Sequence, residues 1–281
     1  MIPAIRGVSK VRHGGFVLWR TGMVVFFTQL LFHPGFASEL QSTADVLESG
    51  HWQLSLYERQ AKEKPVVKIS GTSEIQVPTS GGASTIFSQE NAKVTLESEM
   101  SATVAMVTFR PFDGMHYRVK FGQVDRFKLD FSSGSWTNSL ESLGGGIVWG
   151  AGVRWNIQPV TIVTTGIAID LSYTNSTVEL DKFSSVGTIS STHKRFESQE
   201  FQGALNVSRR WKPFEPYGGL KVSWLTTRLV DLETKGKVGG TDEKWSPFVG
   251  LKWEVFPHEN VLVEASFVDE KSISAGMNVR F

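Results

Sequence analysis

Six histidines are the natural place to look for acid–base or metal chemistry, and the 281-residue chain has no cysteine to assist them. Without a thiolate there is no disulfide framework and no thiolate metal site. His13 and His33 sit in a basic and apolar leader, His51 opens the first alternating segment, and His116 and His258 fall at tight turns. Only His193, in "SSTHKRFE" (190–197), has candidate partners nearby: Ser190, Ser191 and Glu197. A base beside a hydroxyl could activate a nucleophile. A polar loop gathers such residues by composition alone, however, and no catalytic motif surrounds them. The expectation is therefore no enzymatic activity, with His193 as the one catalytic candidate, and no metal or cofactor. The glycines of "GGGIVWGAG" (144–152) lack the strand–turn–helix setting of a nucleotide loop and read as strand glycines that make room for large neighbours.

Charged residues form the second constellation. Arg118, Lys120, Lys128, Asp130, Arg154, Asp170, Arg210, Lys221, Lys252, Glu254, Glu264 and Arg280 occur singly, on the polar side of segments that otherwise alternate. Charges spaced in this way must pair or be wetted if they point into an enclosed space.

The elements that would position them follow from the alternation. In "GGIVWGAGVRWNI" (145–157), Ile147, Trp149, Ala151, Val153 and Trp155 share one face, opposite Gly150, Gly152, Arg154 and Asn156. "FQGALNVSRRW" (201–211), "GGLKVSW" (218–224), "KWSPFVGLKWEV" (244–255) and "SISAGMNVRF" (272–281) repeat the pattern. A period of two marks strands with one apolar face. Here the apolar face is rich in Trp, and the polar face carries Gly, Ser, Asn and isolated charges. That places the apolar face outside and the polar face inside, the weak signature of a transmembrane barrel. Trp149, Trp155, Trp211, Tyr217, Trp224, Trp245 and Trp253 would form its aromatic girdles.

The connections alternate as well. Tight turns with Pro or Gly at 110–117, 155–160, 211–217 and 255–261 alternate with longer polar links near 61–91, 132–141, 177–195 and 231–243. Ten strands result: 51–60, 92–110, 115–131, 139–156, 159–176, 195–211, 216–230, 243–256, 260–268 and 271–281. Eight and twelve remain open, because 66–77 reads either as a hairpin arm of the first loop or as the true first strand. A break in alternation around Gln123–Asp125 predicts a bulge.

Residues 1–37 read as a secretory signal peptide. Arg6, Lys10, Arg12 and Arg20 precede "GMVVFFTQLLF" (22–32), and small residues place the cut between Ala37 and Ser38. The apolar run is about half of the roughly 20 residues that a spanning helix needs. Its removal takes four of the 29 basic residues and none of the 28 acidic ones. The mildly acidic remainder argues against a nucleic-acid partner. The expected organisation is a signal peptide at 1–37, a short periplasmic segment at 38–50, and one all-β, closed, antiparallel up-and-down barrel at 51–281.

With the leader, the alternating strands, the aromatic-flanked turns and the final "MNVRF", the chain resembles small OmpA-like or opacity-type outer-membrane β-barrel proteins of Gram-negative bacteria. The resemblance implies outer-membrane localisation, lipid as the surrounding medium, and the barrel-assembly machinery as a partner during biogenesis. In that role Met277, Val279 and Phe281 would form the recognised C-terminal signal. The expected function is structural or interactive, with an external ligand at the polar outer loops. The alternatives are a narrow, weakly anion-selective channel and a lipid-modifying enzyme at the outer rim.

Overall fold

The computed structural model describes residues 50–63, 66–68, 76–79, 82–85, 93–133, 136–142, 145–185, 188–231 and 237–281. The leader, with Ala37 and Ser38, lies outside these residues. All described regular structure is strand: β1 (Trp52–Glu63), β2 (Val66–Lys68), β3 (Gln76–Thr79), β4 (Gly82–Thr85), β5 (Lys93–Phe112), β6 (Met115–Ser133), β7 (Trp136–Ser142), β8 (Gly146–Gln158), β9 (Gly166–Ser185), β10 (Thr188–Ser208), β11 (Phe214–Asp231), β12 (Lys237–Phe256), β13 (Glu259–Ser266) and β14 (Glu270–Arg280).

Ten antiparallel staves close into a ring in the order β1, β5, β6, β8, β9, β10, β11, β12, β13, β14, and back to β1. Closure is by β1 on β14, from Gln53 opposite Arg280 to Glu63 opposite Glu270. The ring leaves no unpaired edge along its wall. β2 prolongs β1 in unchanged register along β5: Glu63 faces Ser98 and Val66 faces Thr95. β7 and β8 are two parts of one stave, both paired to β6 and β9. β3 and β4 form a separate hairpin. Ten strands is thus the observed number, 52–63 is a true stave, and 66–68 is its continuation.

Two features of the wall bear directly on the strands expected from the sequence. On β6, Ser101 faces Arg126 while Ala102 faces Val124, so Asp125 is one extra residue, a β-bulge at the break in alternation. The extra residue reverses which parity points inward beyond it. The second feature concerns 159–165, expected at the start of a strand. This stretch is a turn held by Thr161, whose Oγ1 accepts from the amides of Val163 and Thr164. At the same end of the barrel, the β5–β6 turn needs Gly114 in the left-handed region, with φ at 81°.

Candidate functional site

The wall has two zones along its height. In the zone next to the tight turns the outward side chains are apolar. They include Leu54, Leu56, Val107, Val119, Ile147, Leu171, Leu205, Leu220, Val249, Leu251 and Val263, all exposed. Aromatic residues edge this belt. Phe121, Trp149, Phe201, Trp224 and Trp245 lie towards the long loops, and Trp52, Trp155, Trp211, Phe214 and Phe281 lie towards the tight turns. Neighbouring rings touch along the edges, as in Trp52 with Phe109 at 4.3 Å and Phe201 with Trp224 at 5.9 Å. Met277 and Val279 face outward and are half-buried.

Behind the belt the interior is polar and tightly filled. Asp170 on β9 takes two guanidiniums: Arg118 reaches it past the intervening stave, and Arg154 Nε donates to Oδ2 at 3.0 Å. Lys120 donates to Thr174 Oγ1. Glu215 accepts from Lys252 at 2.9 Å and from Arg210 at 3.3 Å. Lys221 lies 3.4 Å from Glu270. Glycines make the room: a Cβ on Gly150 would meet Lys120 Cε at 2.4 Å, and one on Gly250 would meet the Tyr217 ring at 2.2 Å. Among the described residues, the buried cations of this storey include Arg59, Arg110, Arg118, Lys120, Arg154, Lys221, Lys244 and Lys252, and the buried carboxylates include Asp170, Glu200, Glu215, Glu264 and Glu270.

One contact spans the whole interior. β1 and β10 lie opposite each other in the ring, five staves apart in either direction, yet Arg59 Nη2 lies 3.9 Å from Glu200 and 4.0 Å from Glu270. Beyond it, towards the long loops, the interior becomes apolar: Phe127, Leu129, Leu140, Val178, Leu180, Phe196 and Leu229 are buried in one cluster. Phe127 and Phe196 stand three staves apart, and their tilted rings meet with centroids 4.7 Å apart. A cleft of about 450 Å³, open solvent included, lies between the storeys, with Arg59, Glu200, Met100, Phe127, Phe196 and Thr227 among its walls.

The outward face of this apolar storey is charged. Lys62 lies 2.6 Å from Glu97 and 2.7 Å from Glu99. The bond to Glu97, and then that to Glu99, hold its ammonium well above the ordinary lysine range. Lys128 is raised in the same direction by its bond to Asp130, at 2.9 Å.

Most of the charges expected inside are inside, with three corrections. Lys128 and Asp130 point outward, because the Asp125 bulge reverses the parity of β6 beyond it. Glu254 keeps inward parity but lies exposed at the end of β12, where a register shift before Phe256 ends the regular ladder. Arg210 and Arg280 are half-buried at the same end. A fourth correction concerns the girdle. Tyr217 is buried inside and donates to Glu264 at 3.1 Å, in the space that Gly250 leaves. The other six aromatics named with it face outward.

Arg59, Glu200, Glu270 and Lys244 belong to the interior network and were not singled out from the sequence. Their strand parity was readable, since Arg59 shares it with Ser55 and Glu200 with Gln202. The backbone of His193 lies in β10, at an irregularity between Ser191 and Lys194, and its side chain is outside the described set. Among the described residues, no cluster of His, Asp or Glu is arranged to hold a metal ion.

Fold and interior together define a closed, ten-stave antiparallel barrel with an apolar outer belt and a filled core. No protein-family model and no curated protein sequence matches the chain. Solved structures of similar fold include the outer-membrane protease OmpT from Escherichia coli, 11% identical with a TM-score of 0.48, covering 85% of this chain and 100% of that one. The translocator domain of the autotransporter NalP from Neisseria meningitidis is 10% identical with a TM-score of 0.45, covering 95% and 96%. OprG from Pseudomonas aeruginosa is 9% identical with a TM-score of 0.36, covering 85% and 99%. Identities this low do not bear on activity.

Proposed function

We propose that the protein is an integral outer-membrane barrel of a Gram-negative bacterium whose lumen is sealed, and that it works through its outer extension and loops as a structural or surface-interaction protein. The apolar belt supports the membrane setting. Some thirty large hydrophobic side chains stand exposed, far more than water tolerates as one continuous surface. Only a closed ring satisfies its backbone inside hydrocarbon.

The Arg59–Glu200 bridge carries the sealed reading. Side chains from diametrically opposite staves meet in mid-lumen, and an apolar storey with the Phe127–Phe196 ring contact lies beyond them. Hydrated ions face a charged barrier followed by a dry one. A barrel of this size has an interior that side chains can fill, unlike the 16- to 18-stranded porins. The long-loop end is then where an external ligand meets the protein.

Planar-bilayer conductance of the refolded protein tests this. The wild type is expected to be silent, and Arg59→Ala combined with Phe196→Ala to give brief openings. Steady openings of the wild type would establish a channel instead.

A further inference from the structure

At the tight-turn end of the belt, the β10–β11 hairpin differs from its neighbours. It closes through two bonds between Trp211 and Phe214, the amide of each donating to the carbonyl of the other at 2.7 Å. Lys212 and Pro213 form its tip. Trp211 stands opposite Phe214, and Phe214 opposite Trp253 on β12. Directly opposite residues share a face, so the three rings line one outward shelf, with Phe214 and Trp253 6.1 Å apart.

Two cations flank this shelf. Arg209 follows β10, keeps the outward parity of Val207 and is exposed. Its amide donates to Pro216 O at 3.1 Å, and Pro216 faces the outward Leu251, which puts Arg209 on the belt side of the rings. Lys212 is exposed at the tip, on the other side. Among the described residues, neither side chain has an ion pair or a hydrogen bond. The other Lys and Arg side chains of this rim are engaged or withdrawn: Arg110 is buried against Asp113, Arg210 and Lys252 share Glu215, and Arg280 is half-buried. The carboxylates lie elsewhere. Glu254, whose amide bonds to Pro213 O at 2.9 Å, has lumenal parity, and Glu259 stands on β13, two strands from the hairpin. The adjacent β8–β9 turn has no charged residue and exposes Ile162 and Val163.

A guanidinium at the border of a hydrocarbon belt reaches for an anion or for water. Aromatic rings at such a border lie among lipid headgroups, where phosphate is the anion at hand. We propose that Arg209 and Lys212, on either side of the Trp211–Phe214–Trp253 shelf, form a binding site for the phosphate of an anionic phospholipid in the leaflet on the tight-turn side. Arg209 grips two phosphate oxygens with its planar fork, and Lys212 adds a point charge. The rings carry the glycerol and the first methylenes, and Ile162 and Val163 extend that apolar floor. A zwitterionic headgroup is disfavoured, because beside the two cations no carboxylate of outward parity is placed to hold its ammonium. The site rests on the membrane reading and can fail separately from it.

The test uses the full barrel in lipid vesicles. The chain has no cysteine, so Val163→Cys carries a single bimane label beside the site. Its quenching by brominated phosphatidylglycerol is compared with that by brominated phosphatidylcholine at physiological ionic strength. Phosphatidylglycerol should be preferred several-fold, and Arg209→Gln and Lys212→Gln should each weaken the preference by about fivefold. Arg228→Gln, an exposed position towards the long loops, should leave it unchanged. Equal quenching by the two lipids, or a preference that survives in the double variant, would overturn the site. Relief of quenching by inorganic phosphate at constant ionic strength would make it a site for a free anion and overturn the lipid assignment. Protein that fails to float with the vesicles would instead overturn the membrane reading itself.

Discussion

The same staves run through two zones of opposite chemistry. On β10, going from the tight-turn end towards the long loops, Val207, Leu205 and Phe201 face outward, with Asn206, Ala204 and Gln202 behind them. Further along, Gln199, Glu197 and Arg195 face outward and Phe196 is buried. The backbone register along β9 and β11 is continuous across this change. Parity alone decides which side chains face which way, and it does not decide which face is apolar. The medium outside decides that: in hydrocarbon the polar groups gather inside, and in water the apolar ones do. The lower zone is therefore built as a membrane protein and the upper one as a small soluble barrel.

The largest effects should come from breaking the polar interior. Asp170→Ala leaves two buried guanidiniums without their carboxylate and should cost about 3–5 kcal/mol of stability, measured by urea unfolding in lipid vesicles. Phe196→Ala should cost a similar amount, about 3–5 kcal/mol, through the loss of core packing in the upper zone.

Next comes a matched pair across the boundary. Leu205→Arg puts a charge on the lipid face and should cost about 2–4 kcal/mol, whereas Gln199→Arg, three turns of the pleat higher, should be close to neutral. Equal costs would dissolve the distinction between the zones. Gly250→Ala is expected to cost about 1–3 kcal/mol by displacing the Tyr217 ring, visible as a change in near-ultraviolet circular dichroism.

The smallest effect is expected at Lys62. It is about a third exposed, so its pairs with Glu97 and Glu99 should contribute under 1 kcal/mol. Its folded pKa is raised, so that contribution is complete below the unfolded lysine value of about 10.4 and fades only as pH climbs through the higher folded one. Lys62→Met should therefore differ from wild type equally at pH 7 and pH 9.

Much of the wall was legible from periodicity because alternation is local. The strands around Trp149, Leu205, Leu251 and Val279 and their outward faces could be read residue by residue. What escaped depends on non-local geometry. The bulge at Asp125 was visible as a break, yet only the ladder with β5 shows that it turns Lys128 and Asp130 outward. Tyr217, beside Pro216 at a turn, reads as a girdle residue until Gly250 on the neighbouring stave reveals the space it fills. The pairing of Arg59 with Glu200 depends on ring order and shear, which no short stretch of sequence encodes.

Spin labels placed singly at 199 and 205 in proteoliposomes test the central contrast most directly, through their access to oxygen and to a water-soluble nickel chelate. The label at 205 should relax with oxygen and ignore nickel, while the label at 199 should respond to nickel. Nickel access at both positions, or oxygen dominance at both, would contradict the division of the wall into a lipid zone and a water zone.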